Sequence, residues 1–287
     1  MPIKKLFLLH LFCIIYFIGS LSEAVAQSVK INNDIKQKII VFGNEKMTVT
    51  LDYNKKANIS LLIINGQQVI QGNAGIYSKI ITKEATYSTL HLSSAPAIKV
   101  SRNTISITGI NYGDKNHAIN ETWTFTIGYS NIKFDMDRTI SKETIAEKVC
   151  LPVFMFNSMD TWEGAYQDYG GLAWFYLFNK KLDTYGVRSS SSRFFNNKTG
   201  NGLTIDVDAP GKQIAMDYSR IADDKMAYTI ALSQTEMQPR FDAGTNRRRF
   251  VRDTMDVWAP CKISAGKSGQ SITFSYFDFE EKFGRYK

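Results

Sequence analysis

Residues 121–140, ETWTFTIGYSNIKFDMDRTI, constrain the fold more than any other stretch of the chain. Trp123, Phe125 and Ile127 alternate with Thr122, Thr124 and Thr126. After Tyr129, Ser130 and Asn131, the residues Ile132, Phe134 and Met136 again alternate with polar neighbours. A period of two, apolar on one face and polar on the other, is the pattern of a half-buried β-strand. Two such runs on either side of a short polar turn predict an antiparallel hairpin.

The same pattern recurs along the chain. KIIVFG (38–43), KMTVTLDY (46–53), ISLLIING (59–66) and QQVIQG (67–72) are short β-branched runs closed by Gly, Asn or Asp. Asn65-Gly66 is a strong two-residue hairpin signal. STLHLSS, IKVSRNTISITGINYG, GLTIDVDA, KQIAMDYS, KMAYTIALSQ and SITFSYFDF extend the series. Helical patterning is confined to SKETIAEKV (141–149), where Ser141 is placed to cap a short helix. Many strands with almost no helix between them predict an all-β protein, a large antiparallel β-sandwich with few short helices.

Residues 1–26 stand outside this pattern. Lys4 and Lys5 precede an apolar run over 6–18, and a polar stretch ends in Ala24-Val25-Ala26. That is the anatomy of a signal peptide with a small-x-small cleavage site. The run is shorter than the roughly 20 apolar residues of a spanning helix. Cys13 follows Phe12 rather than a small residue, which argues against a lipid anchor. The mature chain is expected to cover residues 27–287 and to be exported, periplasmic or extracellular, with an uncleaved N-terminal anchor as the alternative. No later stretch is apolar enough to span a bilayer, so no stable membrane insertion is expected after cleavage. Export permits a Cys150–Cys261 disulfide; two buried thiols are the other reading.

The whole chain carries a net +8, and the mature part 33 basic against 26 acidic side chains, or +7. So modest a bias permits an acidic partner without requiring one. No nucleic-acid-binding motif is present, and nucleic acid is not an expected partner. The chain has no P-loop, dinucleotide-binding glycine motif, H-E-x-x-H helix or G-x-S-x-G elbow. Its mature part holds two histidines, His91 and His117, and two cysteines, too few to support a closed zinc site. No metal and no cofactor are expected. Asp206 and Asp208, two apart on a strand, share a face and read as a solvent-facing edge. Asp223-Asp224 reads as a turn. RFDAGTNRRRFVRD (240–253) gathers Arg240, Arg247, Arg248, Arg249 and Arg252, guanidinium forks suited to carboxylate or sulfate or to a solvated basic loop.

Residues 161–178, TWEGAYQDYGGLAWFYLF, divide at Gly170-Gly171. LAWFYLF is apolar in both phases, as a strand buried between layers is. TWEGAYQDY reads as a connecting segment with rings and polar groups available for recognition. Trp162, Tyr166 and Tyr169 offer stacking faces, and Glu163 and Asp168 can accept sugar hydroxyls. These five are the candidate glycan-binding residues.

Several of these stretches together resemble the N-terminal domain of certain bacterial glycoside hydrolases. They are 121–140, CLPVFMFNSMDTWEGAYQDYGGLAWFYLFN (150–179), YGVRSSSSRFF (185–195) and SITFSYFDFEEKFGRYK (271–287). In that family a galactose-mutarotase-like supersandwich precedes a helical (α/α)6 barrel. The likeness covers nearly all of the mature chain as a pattern of strands and aromatics. It implies a supersandwich fold and a role with polysaccharide or oligosaccharide. The family's catalytic carboxylates lie in the barrel, so it implies no catalytic residue here. A helical catalytic domain or protein is the implied partner. Sugar mutarotases share the fold, and as the rival reading they would need His91 or His117 to face an acid such as Glu163. A complete glycosidase using carboxylates within the sandwich is the third reading.

Overall fold

The computed structural model describes residues 29–156, 164–167, 184–187, 191–196, 199–208, 213–222, 225–233 and 261–278. Among the described residues there are twenty strands and no helix. They begin with β1 (Lys30–Asp34), β2 (Ile39–Gly43), β3 (Met47–Asp52), β4 (Asn58–Ile64), β5 (Gln67–Ile81), β6 (Thr86–Ser88) and β7 (Ala97–Val100). Next come β8 (Thr104–Gly113), β9 (Ala118–Ile127), β10 (Asn131–Ile140), β11 (Thr144–Ala146), β12 (Lys148–Phe156) and β13 (Gly164–Gln167). The series closes with β14 (Thr184–Val187), β15 (Ser191–Phe195), β16 (Asn201–Asp208), β17 (Gln213–Ala222), β18 (Lys225–Ser233), β19 (Cys261–Ile263) and β20 (Gly266–Asp278).

Two antiparallel sheets form the sandwich. The larger has the order β1-β2-β3-β4-β5-β12-β18-β17-β14, with β6 beside β5. The smaller has the order β13-β15-β16-β20-β10-β9-β8-β7. Asn65 and Gly66, at φ 46° and 82°, form the predicted two-residue turn between β4 and β5. Two positive φ values in succession are what a primed hairpin turn demands, and Asn-Gly supplies them at least cost.

The β9–β10 hairpin behaves as its alternation requires. Phe125 stands opposite Phe134 and Trp123 opposite Met136, and all four side chains are buried. Phe125 stacks on Phe134 at 4.5 Å between ring centroids and meets Phe42 of the larger sheet at 5.0 Å. Phe154 meets Phe274 edge-on at 5.9 Å, and Phe156 meets Phe194 at 5.0 Å. Each aromatic pair of this kind adds about 0.5–1.5 kcal/mol beyond the area it buries.

The segment 141–149 corrects an expectation. It holds no helix: β11 pairs with β19, Ala146 opposite Cys261, and β12 begins at Lys148. Thr144 and Ala146 are buried while Ile145 is 68% exposed, a period of two. A short helix gains little by itself in water, and a partner strand from far along the chain outweighs it. STLHLSS is likewise a turn beyond Ser88, and His91 is exposed there. Cys150 is a buried thiol.

Candidate functional site

Of the five candidate glycan-binding residues, Tyr166 lies in β13, opposite Arg193 of β15. Trp162, Glu163, Asp168 and Tyr169 lie outside the described residues, as do 172–178 and 240–253. The expectation of a connecting segment is corrected at its centre: Gly164–Gln167 is a strand, pairing at the end of the smaller sheet. Ala165 and Gln167, flanking Tyr166, complete a run short enough to lack a readable period, which is why the sequence suggested a loop.

The structure adds a buried polar network that the sequence reading passed over. Glu121 of β9 and Arg138 of β10 face each other across the hairpin, exposed by 0% and 2%. Arg138 Nε donates to Glu121 Oε1 at 2.6 Å. The same oxygen accepts from Tyr112 Oη and from Ser78 Oγ, each at 2.7 Å. Glu121 Oε2 accepts from Trp123 Nε1 at 2.8 Å. Arg138 Nη2 donates to Ser78 Oγ and, at 3.4 Å, to the Cys150 carbonyl. Ser78 and Cys150 belong to the larger sheet, so the ion pair bridges the two layers.

Electrostatics keeps Arg138 charged in place. Burial alone would lower the Arg138 pKa, but Tyr112 and Glu121 beside it push it up instead. Burial also drives the Tyr112 phenol up, with Arg138 opposing and Glu121 adding to the rise. Removing one partner of such a pair strands the other charge, which is far costlier than the pair is stabilising. Glu121 has both oxygens engaged and is fully buried, so its work is structural rather than contact with a substrate. A sequence signal did exist. Glu121 falls in phase with Trp123, Phe125 and Ile127, and Arg138 in phase with Phe134 and Met136. Opposite charges on the inward phases of two paired strands point to a buried ion pair.

A second cluster lies at the β8–β9 turn. Asp114 Oδ1 accepts from the backbone N–H groups of Asn116 and His117, each at 2.8 Å. Tyr87 Oη donates to Asp114 Oδ2 at 2.6 Å and lies 3.2 Å from His117 Nδ1. The Tyr87 bond, first among the causes, holds the Asp114 pKa down to about 2, and the same bond pushes Tyr87 up to about 12. On β16, Asp206 and Asp208 are exposed on one face as read, with Ser191 Oγ donating to Asp206 at 2.5 Å. Among the described residues no group of His, Cys, Asp and Glu could hold a metal ion.

No family model matches the sequence, and no curated protein matches it. Solved structures do. A GH36 α-galactosidase from Geobacillus stearothermophilus superposes with a TM-score of 0.54 at 7% identity, covering 87% of this chain and 41% of that one. A 4-α-glucanotransferase from Thermococcus litoralis gives 0.52 at 8%, covering 87% and 39%. A candidate aldose 1-epimerase from Escherichia coli K12 gives 0.50 at 8%, covering 88% and 99%. The fold is the galactose-mutarotase-like β-sandwich. At these identities the likeness is one of fold. Within this mutarotase-like sandwich His91 stands in an exposed turn. His117 meets an acid, but that acid is Asp114 of its own turn, which its backbone caps. The arrangement therefore serves first to close the β8–β9 hairpin and to tie β6 to it.

Proposed function

We propose that the chain is an exported carbohydrate-binding module, the non-catalytic N-terminal part of a glycoside hydrolase system. Its signal peptide is residues 1–26, and its work is to contact glycan or to support a helical catalytic domain. The galactose-mutarotase-like fold is the observation that carries this reading. The chain matches less than half the length of the α-galactosidase and the glucanotransferase, as a module of a larger enzyme would. Glycan contact is assigned to Tyr166, on β13 at the end of the smaller sheet, and to Trp162, Glu163, Asp168 and Tyr169, its near neighbours in sequence. Tyr and Trp rings present apolar faces to a sugar ring while carboxylates accept its hydroxyls.

A second reading, a sugar epimerase, draws on the match to nearly the whole of the candidate aldose 1-epimerase. Here His117, oriented by Tyr87 and Asp114, would be the acid–base group.

One experiment separates these readings. Residues 27–287 are run on affinity gels of plant, algal and host polysaccharides, with reducing ends assayed and anomer interconversion of free hexoses followed by polarimetry. Retention without release or interconversion is expected. Trp162→Ala should abolish retention while leaving the circular dichroism and melting temperature unchanged. Release of reducing ends would establish a glycosidase within the sandwich. Accelerated interconversion, lost in His117→Ala, would establish the epimerase.

A further inference from the structure

β12 carries a bulge with contacts on both of its neighbours. Cys150 stands opposite Lys79 of β5 and Ala231 of β18, and Val153 opposite Tyr77 and Thr229. Leu151 and Pro152 together therefore face the single residue Ser78 on one side and the single residue Ile230 on the other. Proline, lacking an N–H, suits such a position because the ladder is already interrupted there.

The extra residue changes the strand's phase. Before it, Val149 belongs to the main core; after it, Phe154 and Phe156 do. Cys150 and Val153, with Tyr77 and Met155 against them, form a separate cluster on the outer side of the larger sheet. A strand without the insertion would send Val153 inward and Phe154 outward, since a slip of one residue exchanges the two faces. The contacts of Phe154 with Phe274 and of Phe156 with Phe194 depend on the insertion.

We infer that Glu121 and Arg138 are positioning residues that hold this phase change in place. Arg138 Nη2 donates to the Cys150 carbonyl, on the residue just before the bulge, and to Ser78 Oγ, on the residue facing the bulge. Glu121 fixes the guanidinium and accepts from the same Ser78 hydroxyl. A bulge loses ladder hydrogen bonds and bends its strand. The ion pair of the opposite sheet supplies the missing anchorage from inside the sandwich. The inference rests on the geometry of β5, β9, β10 and β12 alone and is independent of glycan binding.

Hydrogen exchange read by mass spectrometry on the purified chain tests it. Ser78→Ala removes the shared hydroxyl, and Arg138→Lys keeps the charge but cannot reach Glu121, Ser78 and the carbonyl together. Both should raise exchange across 148–156 by about tenfold or more, since the loss of even one hydrogen bond to a charged group is worth about that factor. Exchange across 39–52 should stay within about twofold, since local opening is confined to its own cooperative unit. Ile107→Val, a core change in β8, should leave 148–156 as in the wild type. Should Arg138→Lys fail to fold, Ser78→Ala carries the test. Unchanged exchange at 148–156, a rise of equal size in both regions, or the same rise in Ile107→Val would each overturn the inference.

Discussion

The two outward faces of the sandwich are built from different chemistry. The smaller sheet turns Thr122, Thr124 and Thr126 of β9, Lys133, Asp135 and Asp137 of β10, and Ser271 and Thr273 of β20 away from the core. Its ion pairs, Lys133–Asp135 at 2.8 Å and Lys267–Asp137 at 3.1 Å, are exposed and contribute little. The larger sheet turns out Ile39, Val41, Leu61 and Ile63, all half-buried. It also turns out Cys150 and Val153, at 0% and 2% exposure. Alternation governs both sheets, yet one outer face is solvated and part of the other is closed to water. The difference teaches that period-two patterning identifies the inward phase, while the composition of the second phase decides whether a sheet has one buried face or two.

Substitutions can break that contrast. Glu121→Leu leaves Arg138 charged and buried beneath the larger sheet, and should cost roughly 3–5 kcal/mol in urea unfolding. Val153→Asp places a carboxylate on the closed part of the outer face. It should cost about 3 kcal/mol or more by the same measurement, or shift its own pKa sharply upward. If it is tolerated, the two faces are equivalent and the contrast is lost. Thr124→Lys makes an equally drastic change on the other face and should stay within about 0.5 kcal/mol of wild type.

The smallest effect concerns pH. Asp114 is depressed from 3.8 to about 2, so its contribution is present above pH 3.8 and lost as pH falls through about 2. Tyr87 is raised from 10.0 to about 12, so the contribution of its bound proton is present below pH 10 and lost as pH rises through about 12. Asp114→Asn should return one tyrosine's ionisation toward pH 10 in an ultraviolet absorbance titration. An unchanged titration would remove the Tyr87–Asp114 bond from solution behaviour.

Much of the fold was legible because its signals are local. The strands of 38–72, the Asn65-Gly66 turn and both faces of the β9–β10 hairpin follow from residues close in sequence. The helix expected over 141–149 failed for the opposite reason, since the partner of β11 is β19, far along the chain. The candidate site was less legible. Its aromatic and acidic residues stand out by composition, but the strand at Gly164–Gln167 is defined by its pairing with β15. Glu121 and Arg138 were readable in principle from their phase, and were missed because charged residues near strand ends usually face water.

By itself, then, the sequence determined the all-β class, most strand positions and the inward face of each alternating run. Those are properties of a two-residue period and of turn residues with special φ, and no distant partner is needed to set them. Tertiary structure alone decided that β12 changes phase at Leu151-Pro152, which sends Phe154 into the core and Val153 out. It also decided that Arg138 should reach Ser78 and the Cys150 carbonyl across the sandwich. A bulge exists only relative to the strands beside it, and a buried ion pair only relative to the layer that closes over it.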